Sequence, residues 1–213
     1  MPDRLIFWDV DTQHDFMDAD GKLYVPGAEE IKPRLARLTD FAHERGIRIV
    51  ASADDHVAGH RELSDTPDFR QTFPDHCIHG TRGAQKIPET ALFDPLIVEP
   101  EPIPQQPFAR QLAAHDGDIL IRKHWFDVFT NPNAELVLET LAPETVVVYG
   151  VALDVCNRYA IEGMLGRGIP RLYAVTDATR AIRPEESDTL LADWRQRGVR
   201  LVTTDTLLRS AIA

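Results

Sequence analysis

Cys156, one of two cysteines in the sequence, follows an apolar run that ends in a small-residue turn. Residues 146–149 (Val-Val-Val-Tyr) have the composition of a buried strand, and a helical pattern begins at residue 157. A cysteine placed there lies in the first turn of a helix, where free backbone N–H groups and the helix dipole favour a thiolate and would also favour an oxyanion. The position equally suits a buried structural cysteine, and this stretch alone leaves both interpretations open.

Two charged residues at other predicted strand ends have the chemistry to activate such a cysteine. The pKa of a free cysteine thiol is near ~8.5, so a thiol nucleophile at neutral pH needs help. Asp11 could accept the thiol proton, and Lys123 could stabilise the anions that result. Taken singly, Asp11 suits a turn cap and Lys123 a solvated surface charge. The catalytic interpretation therefore depends on all three residues meeting.

Histidines are concentrated in a long, weakly periodic segment, residues 53–107, and a loop of this length in a compact domain is usually functional. Four of the eight histidines lie between residues 56 and 79. A carboxylate and imidazoles from two segments can hold a divalent cation with coordination positions left open. A polar loop with incidental histidines is the alternative, and spacing alone does not decide between them. The candidate ligands are Asp54, His56, His60 and His76.

Strand and helix patterns alternate along the chain and predict an α/β fold. We expect a three-layer sandwich, with a mainly parallel six-stranded sheet and helices on both faces, forming one domain over residues 1–213. The predicted strands are residues 5–10, 47–52, 119–122, the run beginning at residue 146, 171–175 and 199–203. Ligands of such sheets bind beyond the carboxyl ends of the strands. That edge is predicted to carry Asp11, Asp54, Lys123, Cys156 and Asp177.

Composition limits the partners that the protein can have. The net charge is −11, which argues against nucleic acid or an anionic membrane as the main partner. No apolar run has the length of a transmembrane helix, and no signal peptide is visible, so the cytoplasm is the expected compartment. Two cysteines in 213 residues do not form a disulfide framework.

Five motifs, in order along the chain, resemble those of the isochorismatase-like cysteine hydrolases, and most closely those of the nicotinamidase branch. Residues 11–16 (Asp-Thr-Gln-His-Asp-Phe) and 23–27 (Leu-Tyr-Val-Pro-Gly) are similar to two N-terminal motifs of that family. Residues 73–81 (Phe-Pro-Asp-His-Cys-Ile-His-Gly-Thr) resemble its histidine motif. Residues 122–129 (Arg-Lys-His-Trp-Phe-Asp-Val-Phe) resemble its lysine motif, and residues 150–156 (Gly-Val-Ala-Leu-Asp-Val-Cys) its nucleophile motif.

The resemblance implies roles for individual residues. It implies a cis peptide between Val151 and Ala152, and it implies that Cys77 neighbours a metal ligand and is not the nucleophile. The implied catalytic triad is Asp11, Lys123 and Cys156, with the N–H groups of Ala152 and Cys156 as the oxyanion hole. The implied ligands of a divalent metal, which would be zinc, iron or manganese, are Asp54, His56 and His76, with His60 at a more variable position. The implied ring pocket contains Phe16 and Phe73, and Trp125 could narrow it.

The sequence departs from the nicotinamidase pattern near the substrate. Asp55 stands where an aromatic residue is usual, Phe73 replaces a tryptophan, and Leu153 stands where threonine is common. The first hypothesis is hydrolysis of a small amide, nicotinamide or a near relative, and the second is hydrolysis of a ureido, carbamoyl or other non-pyridine amide. A non-catalytic metal- or ligand-binding protein is the third, and a true isochorismatase is disfavoured. The resemblance also implies a homodimer or larger homo-oligomer.

Overall fold

A single seven-stranded sheet forms the centre of the protein in the computed structural model, which describes residues 5–210. Residues 1–4 and 211–213 of the predicted single domain lie outside the described residues. Every strand pair is parallel, and the strand order is β3-β4-β2-β1-β5-β6-β7. The strands are Leu5–Val10 (β1), Arg48–Asp54 (β2), Leu96–Val98 (β3), Ile119–Lys123 (β4), Thr145–Val151 (β5), Arg171–Arg180 (β6) and Arg200–Val202 (β7).

Within residues 5–210, seven α-helices connect or follow these strands and cover both faces of the sheet. They are His14–Met17 (α1), Lys32–Glu44 (α2), Gln105–Ala114 (α3), Ala134–Leu141 (α4), Cys156–Gly166 (α5), Ser187–Gln196 (α6) and Thr204–Arg209 (α7). Helix α2 packs against α7, and α3 packs against α4. Right-handed crossovers place α2 on the face opposite α4 and α5, because the chain moves in one direction along the sheet from β1 to β3 and in the opposite direction from β3 to β7. Among residues 5–210, no helix has the length and apolar character needed to cross a bilayer.

The sheet has its most buried strands in the middle, where both faces are covered by helices. All seven residues of β5 are buried, which explains why its sequence is a continuous apolar run and not an alternating one. Neighbouring side chains of β1 point to opposite faces: Phe7 contacts Phe41 of α2 at 6.2 Å between ring centroids, and Trp8 contacts Phe129 on the other face at 6.4 Å. The predicted three-layer α/β architecture is confirmed.

The prediction of six strands is wrong, because the sheet has a seventh strand within the long segment 53–107. This strand, β3, has only three residues, and it pairs with β4 at the sheet edge. Pro95 and Pro100 flank it closely in the sequence. A three-residue strand between two prolines is too short to give a periodic signal, so only its pairing with β4 defines it.

Strand β6 is longer than predicted, and this moves Asp177 away from the other polar residues. The strand continues to Arg180 because Thr179 and Arg180 pair with Gly150 and Val151 after a register shift. Asp177 therefore does not follow a strand end. Its carboxylate accepts hydrogen bonds from the N–H and the hydroxyl of Thr204, at 2.7 and 2.9 Å, and its role is to hold the start of α7.

Asp118, which directly precedes β4, stabilises the sheet at the amino ends of its strands. Its buried carboxylate accepts the N–H groups of Ile49 and Phe93, at 2.9 and 2.7 Å, and contacts His43 of α2 at 2.9 Å. We expect Asp118→Ala to lower the free energy of unfolding by about 3 kcal/mol, because it leaves two backbone donors without acceptors. Urea unfolding measures this. Asp116→Ala, at an exposed neighbouring position, should change it by less than about 0.5 kcal/mol.

Candidate active site

Lys123 lies at the centre of the cluster beyond the carboxyl ends of the strands. Its ammonium nitrogen is 2.9 Å from Asp11 Oδ2, hydrogen-bonds Asp54 Oδ1, and is 3.6 Å from Cys156 Sγ. The lysine and both aspartates are almost completely buried. Lys123 and Asp54 are the last residues of β4 and β2, and Asp11 directly follows β1. These three strands are neighbours in the sheet, so parallel pairing alone brings their ends together.

Asp11 is held in place by contacts on both its backbone and its carboxylate. The hydroxyl of Ser52 on β2 donates to Asp11 Oδ1 at 2.6 Å, which leaves Oδ2 directed at the lysine. The backbone of Asp11 is in the left-handed region, with φ of 49°. Such a conformation is unfavourable for a non-glycine residue and persists where the surroundings fix it, as is common at functional sites.

Cys156 begins α5 directly after a tight turn. The peptide between Val151 and Ala152 is cis, as the resemblance implied. In this turn the N–H of Leu153 donates to Arg180 O at 2.7 Å, and the N–H of Val155 donates to Ala152 O at 3.1 Å. Among the turn, loop and cap hydrogen bonds of residues 5–210, none is donated by the backbone N–H of Ala152 or Cys156. Cys156 therefore lies at a helix N-terminus, where backbone N–H groups have no intrahelical acceptor.

Burial and the charge of Lys123 act in opposite directions on the acidic groups of this cluster. Burial raises the pKa of the Cys156 thiol well above its ordinary value, although the neighbouring Lys123 ammonium lowers it. Burial likewise raises the pKa of Asp11, against the effect of the same ammonium. Burial alone would lower the pKa of Lys123, but the carboxylates of Asp11 and Asp54 raise it well above its usual range. The resting cluster thus holds a neutral thiol, a fixed cation and a carboxylate of increased basicity.

A second group of buried side chains adjoins the first through Asp54. The ligand-type atoms of Asp54, His56, Glu62 and His76 lie within 4.8 Å of one another. One polar atom of each has no hydrogen-bond partner: Asp54 Oδ2, His56 Nε2, Glu62 Oε2 and His76 Nε2. Buried polar atoms are rarely left unpaired, and four that converge are an arrangement suited to a divalent cation.

The surroundings of this group orient its members. His76 Nδ1 donates to the Pro74 carbonyl at 2.7 Å, which directs Nε2 into the group, as the second ring nitrogen of a metal ligand usually does. The side chain of Gln13 bonds both the N–H and the C=O of Asp54, each at 2.7 Å. The Asp15 carboxylate accepts the N–H of Cys77 at 2.7 Å and so fixes the residue next to His76.

Electrostatics in this group reflect its concentration of carboxylates. Burial lowers the pKa of His76, but the nearby carboxylates of Asp54 and Glu62 outweigh this effect and raise the value to about 10. Burial lowers the pKa of His56 to about 4, against the opposing charge of Asp54. Burial alone would raise the pKa of Asp54, yet Lys123 and the histidines hold it well below its usual range.

The metal ligands predicted from the sequence include His60 but not Glu62. In the structure Glu62 belongs to the four-residue group and His60 does not. His60 lies on the far side of His56, with the two Nδ1 atoms 3.2 Å apart, and its ring contacts His124 at 4.3 Å. Glu62 instead reaches the group, 3.5 Å from His76 Nε2. A glutamate six residues after the first histidine was a visible signal, but an acidic segment hides one ligand among several carboxylates.

The predicted pocket residues lie around His76 and Lys123. The rings of Phe16 and Phe73 are 5.4 and 6.3 Å from the His76 ring. Trp125 is half-buried, packs on Phe126 at 3.9 Å, and is covered by the guanidinium of Arg61 at 3.7 Å.

Asp55, which departs from the nicotinamidase pattern, does not contribute to this pocket. Its carboxylate contacts His79 at 2.9 Å and Arg122 at 3.9 Å, on the side away from the four-residue group. The Asp55 side chain is mostly buried and is paired with these two residues, which are not members of the four-residue group.

The fold and this site agree with the relationship found in sequence comparison. The sequence pattern of the isochorismatase domain matches residues 5–206. Because the match spans nearly the whole chain, the protein belongs to the isochorismatase family. Its curated relatives include nicotinamidases.

Two relatives and two solved structures illustrate the similarity. The nicotinamidase of Escherichia coli (strain K12) is 27% identical over 224 residues, covering 95% of this chain and 96% of that protein. A protein of Arabidopsis thaliana, named a probable inactive nicotinamidase, is 26% identical over 196 residues, covering 91% of this chain and 89% of that one.

The structures are a pyrazinamidase of Pyrococcus horikoshii in complex with zinc and an N-carbamoylsarcosine amidase of Thermoplasma acidophilum. The first has a TM-score of 0.71 and 24% identity, covering 94% of this chain and 99% of that one. The second has a TM-score of 0.68 and 23% identity, covering 95% and 97%. At these identities the two structures establish a shared fold.

The electrostatic effect of Lys123 on the thiol can be measured by alkylation. We expect Lys123→Met to raise the pKa of the Cys156 thiol further, because the thiolate loses its neighbouring cation. The pH profile of iodoacetamide labelling at Cys156 should therefore shift to higher pH. Lys86→Met is the matched control: it also removes a lysine from a buried aspartate, Asp9, at 2.6 Å, but away from the cysteine. An unshifted profile in the Lys123 variant would contradict the prediction.

Proposed function

We propose that this protein is a cysteine-dependent hydrolase of small amides that converts nicotinamide, or a near relative, to the carboxylic acid and ammonia through a thioester. The observation that carries this proposal is the buried contact of Cys156 Sγ with Lys123 at 3.6 Å, with Asp11 on the same ammonium at 2.9 Å. Family membership supports the coarser statement that it is a hydrolase of carbon–nitrogen bonds other than peptide bonds.

Acylation begins with transfer of the Cys156 proton to Asp11. The thiolate forms beside Lys123 and attacks the amide carbon, while the N–H groups of Ala152 and Cys156 stabilise the oxyanion. A single such donor contributes roughly 10²–10³ in rate in a well-studied hydrolase. Asp11 then gives its proton to the leaving nitrogen, the C–N bond breaks, and ammonia departs from the thioester.

Deacylation reverses these roles with water as the nucleophile. Asp11, again a carboxylate, takes a proton from water, and the hydroxide adds to the thioester carbon. The same two N–H groups stabilise the second oxyanion. The C–S bond breaks, Cys156 recovers its proton from Asp11, and the acid is released. Lys123 keeps its proton throughout, which agrees with its raised pKa.

The residues that would hold a divalent metal are Asp54, His56, Glu62 and His76. The four unpaired atoms support this assignment, and the mixed nitrogen and oxygen donors suit zinc, iron or manganese. When bound, such a cation would supply a Lewis-acidic position for the ring nitrogen of the substrate or for water. Phe16, Phe73 and Trp125 would then line the space for the ring. The proposal also includes assembly as a homodimer or larger homo-oligomer.

A ureido or carbamoyl amide is the second candidate substrate, and the surroundings of Trp125 favour it. Arg61 stacks on the indole and has no carboxylate partner among residues 5–210. A cationic group beside the pocket would suit a substrate more polar than nicotinamide.

Ammonia release distinguishes these functions. We expect the purified, metal-loaded protein to release ammonia from nicotinamide, and to lose that activity on chelation and regain it when metal is restored. A loaded protein that ignores nicotinamide but cleaves a ureido or carbamoyl compound would establish the second candidate. No ammonia from any amide, with metal still bound, would indicate a binding protein without catalysis.

The two cysteines give a test of the nucleophile. We expect iodoacetamide to label Cys156 and to abolish turnover, because Cys77 is fully buried, with its N–H bonded to Asp15 and its thiol 3.8 Å from the Gly83 carbonyl. Cys156→Ala should lower kcat by at least about 10³-fold. Cys77→Ala is the matched control, with kcat close to that of the unmodified protein. Loss of turnover in the Cys77 variant alone would contradict the assignment.

Glu62 and His60 give a test of the metal ligands. We expect Glu62→Ala to weaken metal binding by at least about tenfold, since it removes one of four donors, whereas His60→Ala should retain the metal. Metal content after dialysis against a chelator series measures both. If the Glu62 variant keeps its metal and the His60 variant loses it, then His60 and not Glu62 is the fourth ligand.

A further inference from the structure

The side chain of Arg183 contacts three segments of the chain: the turn before Cys156, the residue that precedes α6, and the loop formed by residues 61–73. Its NH2 nitrogen is 3.1 Å from Asp154 Oδ2, its Nε donates to Glu186 at 3.0 Å, and its NH1 nitrogen donates to the Phe69 carbonyl at 2.9 Å. The side chain of Arg183 is only 18% exposed, so these contacts are partly shielded from water. A planar guanidinium carries its N–H donors on three separate nitrogens, so it can bond well-separated partners at the same time.

The first of these partners belongs to the turn that carries Cys156. Asp154 lies two residues before the cysteine, and its side chain is 1% exposed. Its carboxylate also accepts the N–H groups of Ile182 and Arg183, at 2.8 and 3.0 Å. The turn is thus fixed to the segment after β6, and the guanidinium supplies the charge that a buried carboxylate needs.

Another partner, Phe69, lies at the tip of the loop formed by residues 61–73. This loop contains two residues of the site, Glu62 and Phe73. Its base is closed by backbone bonds, from the N–H of Phe73 to Glu62 O at 2.8 Å and from the N–H of Ser64 to Phe73 O at 2.9 Å. At the tip, Asp68 Oδ1 accepts the N–H groups of residues 70–72, at 2.8–2.9 Å. These bonds make the loop stiff, so a restraint at Phe69 reaches Phe73 and Glu62.

We propose that Arg183 is a positioning residue that holds the 61–73 loop in a fixed position relative to the turn before Cys156. This inference rests on the proposed function, because Glu62 and Phe73 are taken there as a metal ligand and a wall of the substrate pocket. Without the guanidinium the loop would stay attached at its base and at the contact of Arg61 with Trp125. Its tip would be left with the longer contact of the exposed Arg70 side chain with Glu186, at 3.8 Å, so the substrate side of the site would be less firmly fixed relative to the nucleophile.

Arg183→Lys separates this role from simple stabilisation. The lysine keeps a cation beside Asp154 but has one nitrogen and cannot also reach Phe69. We expect faster hydrogen exchange at the amides of Ser64 and Phe73, faster transfer of bound zinc to a chelator, and a KM raised by about tenfold. The pH profile of Cys156 alkylation should stay unchanged, since the turn keeps its charge partner. All measurements are made well below the unfolding temperature of each variant.

Arg70→Lys is the matched control within the same loop. Arg70 also contacts Glu186, at 3.8 Å, but its side chain is 70% exposed and has no contact with Asp154. We expect exchange, zinc release and KM in this variant to match those of the unmodified protein. Equal behaviour of the two variants would overturn the proposal for Arg183. Hydrogen exchange and zinc release do not depend on turnover, so absence of amidase activity in the unmodified protein would contradict the proposed function alone.

Discussion

The buried ion pairs of Lys123 are the interaction on which the site depends. One ammonium lies between the carboxylates of Asp11 and Asp54 and beside the thiol of Cys156. Charges removed from water are tolerated only when paired, and removing one partner from such a buried set typically costs about 3–5 kcal/mol. Each charge needs the others, so the ends of β1, β2 and β4 are fixed relative to one another before any substrate arrives.

Asp54 links the two halves of the site because its two oxygens face different ways. Oδ1 accepts a hydrogen bond from Lys123, whereas Oδ2 faces the four-residue group that includes His76 and Glu62. Gln13 fixes the backbone of Asp54 on both sides, so neither half can move without the other. A bound cation and the nucleophile would therefore be held at a constant separation by one carboxylate. This geometry suits a reaction in which the substrate is oriented at one end and attacked at the other.

The residues around the Lys123 ammonium could be predicted from sequence because each lies at or just beyond the carboxyl end of a strand. Asp11, Lys123 and Cys156 come after apolar runs, and parallel strands bring such positions to one edge of a sheet. The same reasoning predicted Asp54, the last residue of β2, and His56, which lies two residues beyond it. It failed for Asp177, because a register shift between β5 and β6 lengthens a strand without a signal in its composition. It also failed for β3, whose three residues acquire strand character only by pairing with β4.

The sequence by itself determined the α/β class, the order of the motifs and the residues beyond the strand ends, since these follow from local apolar pattern and strand polarity. Only the tertiary structure decided that Glu62 reaches the four-residue group while His60 lies behind His56, because the path of an irregular loop depends on its contacts with distant segments. It also decided that Cys156 rests as a thiol. The helix N-terminus was visible in the sequence, but the burial that raises the thiol pKa is produced by the packing of the whole chain.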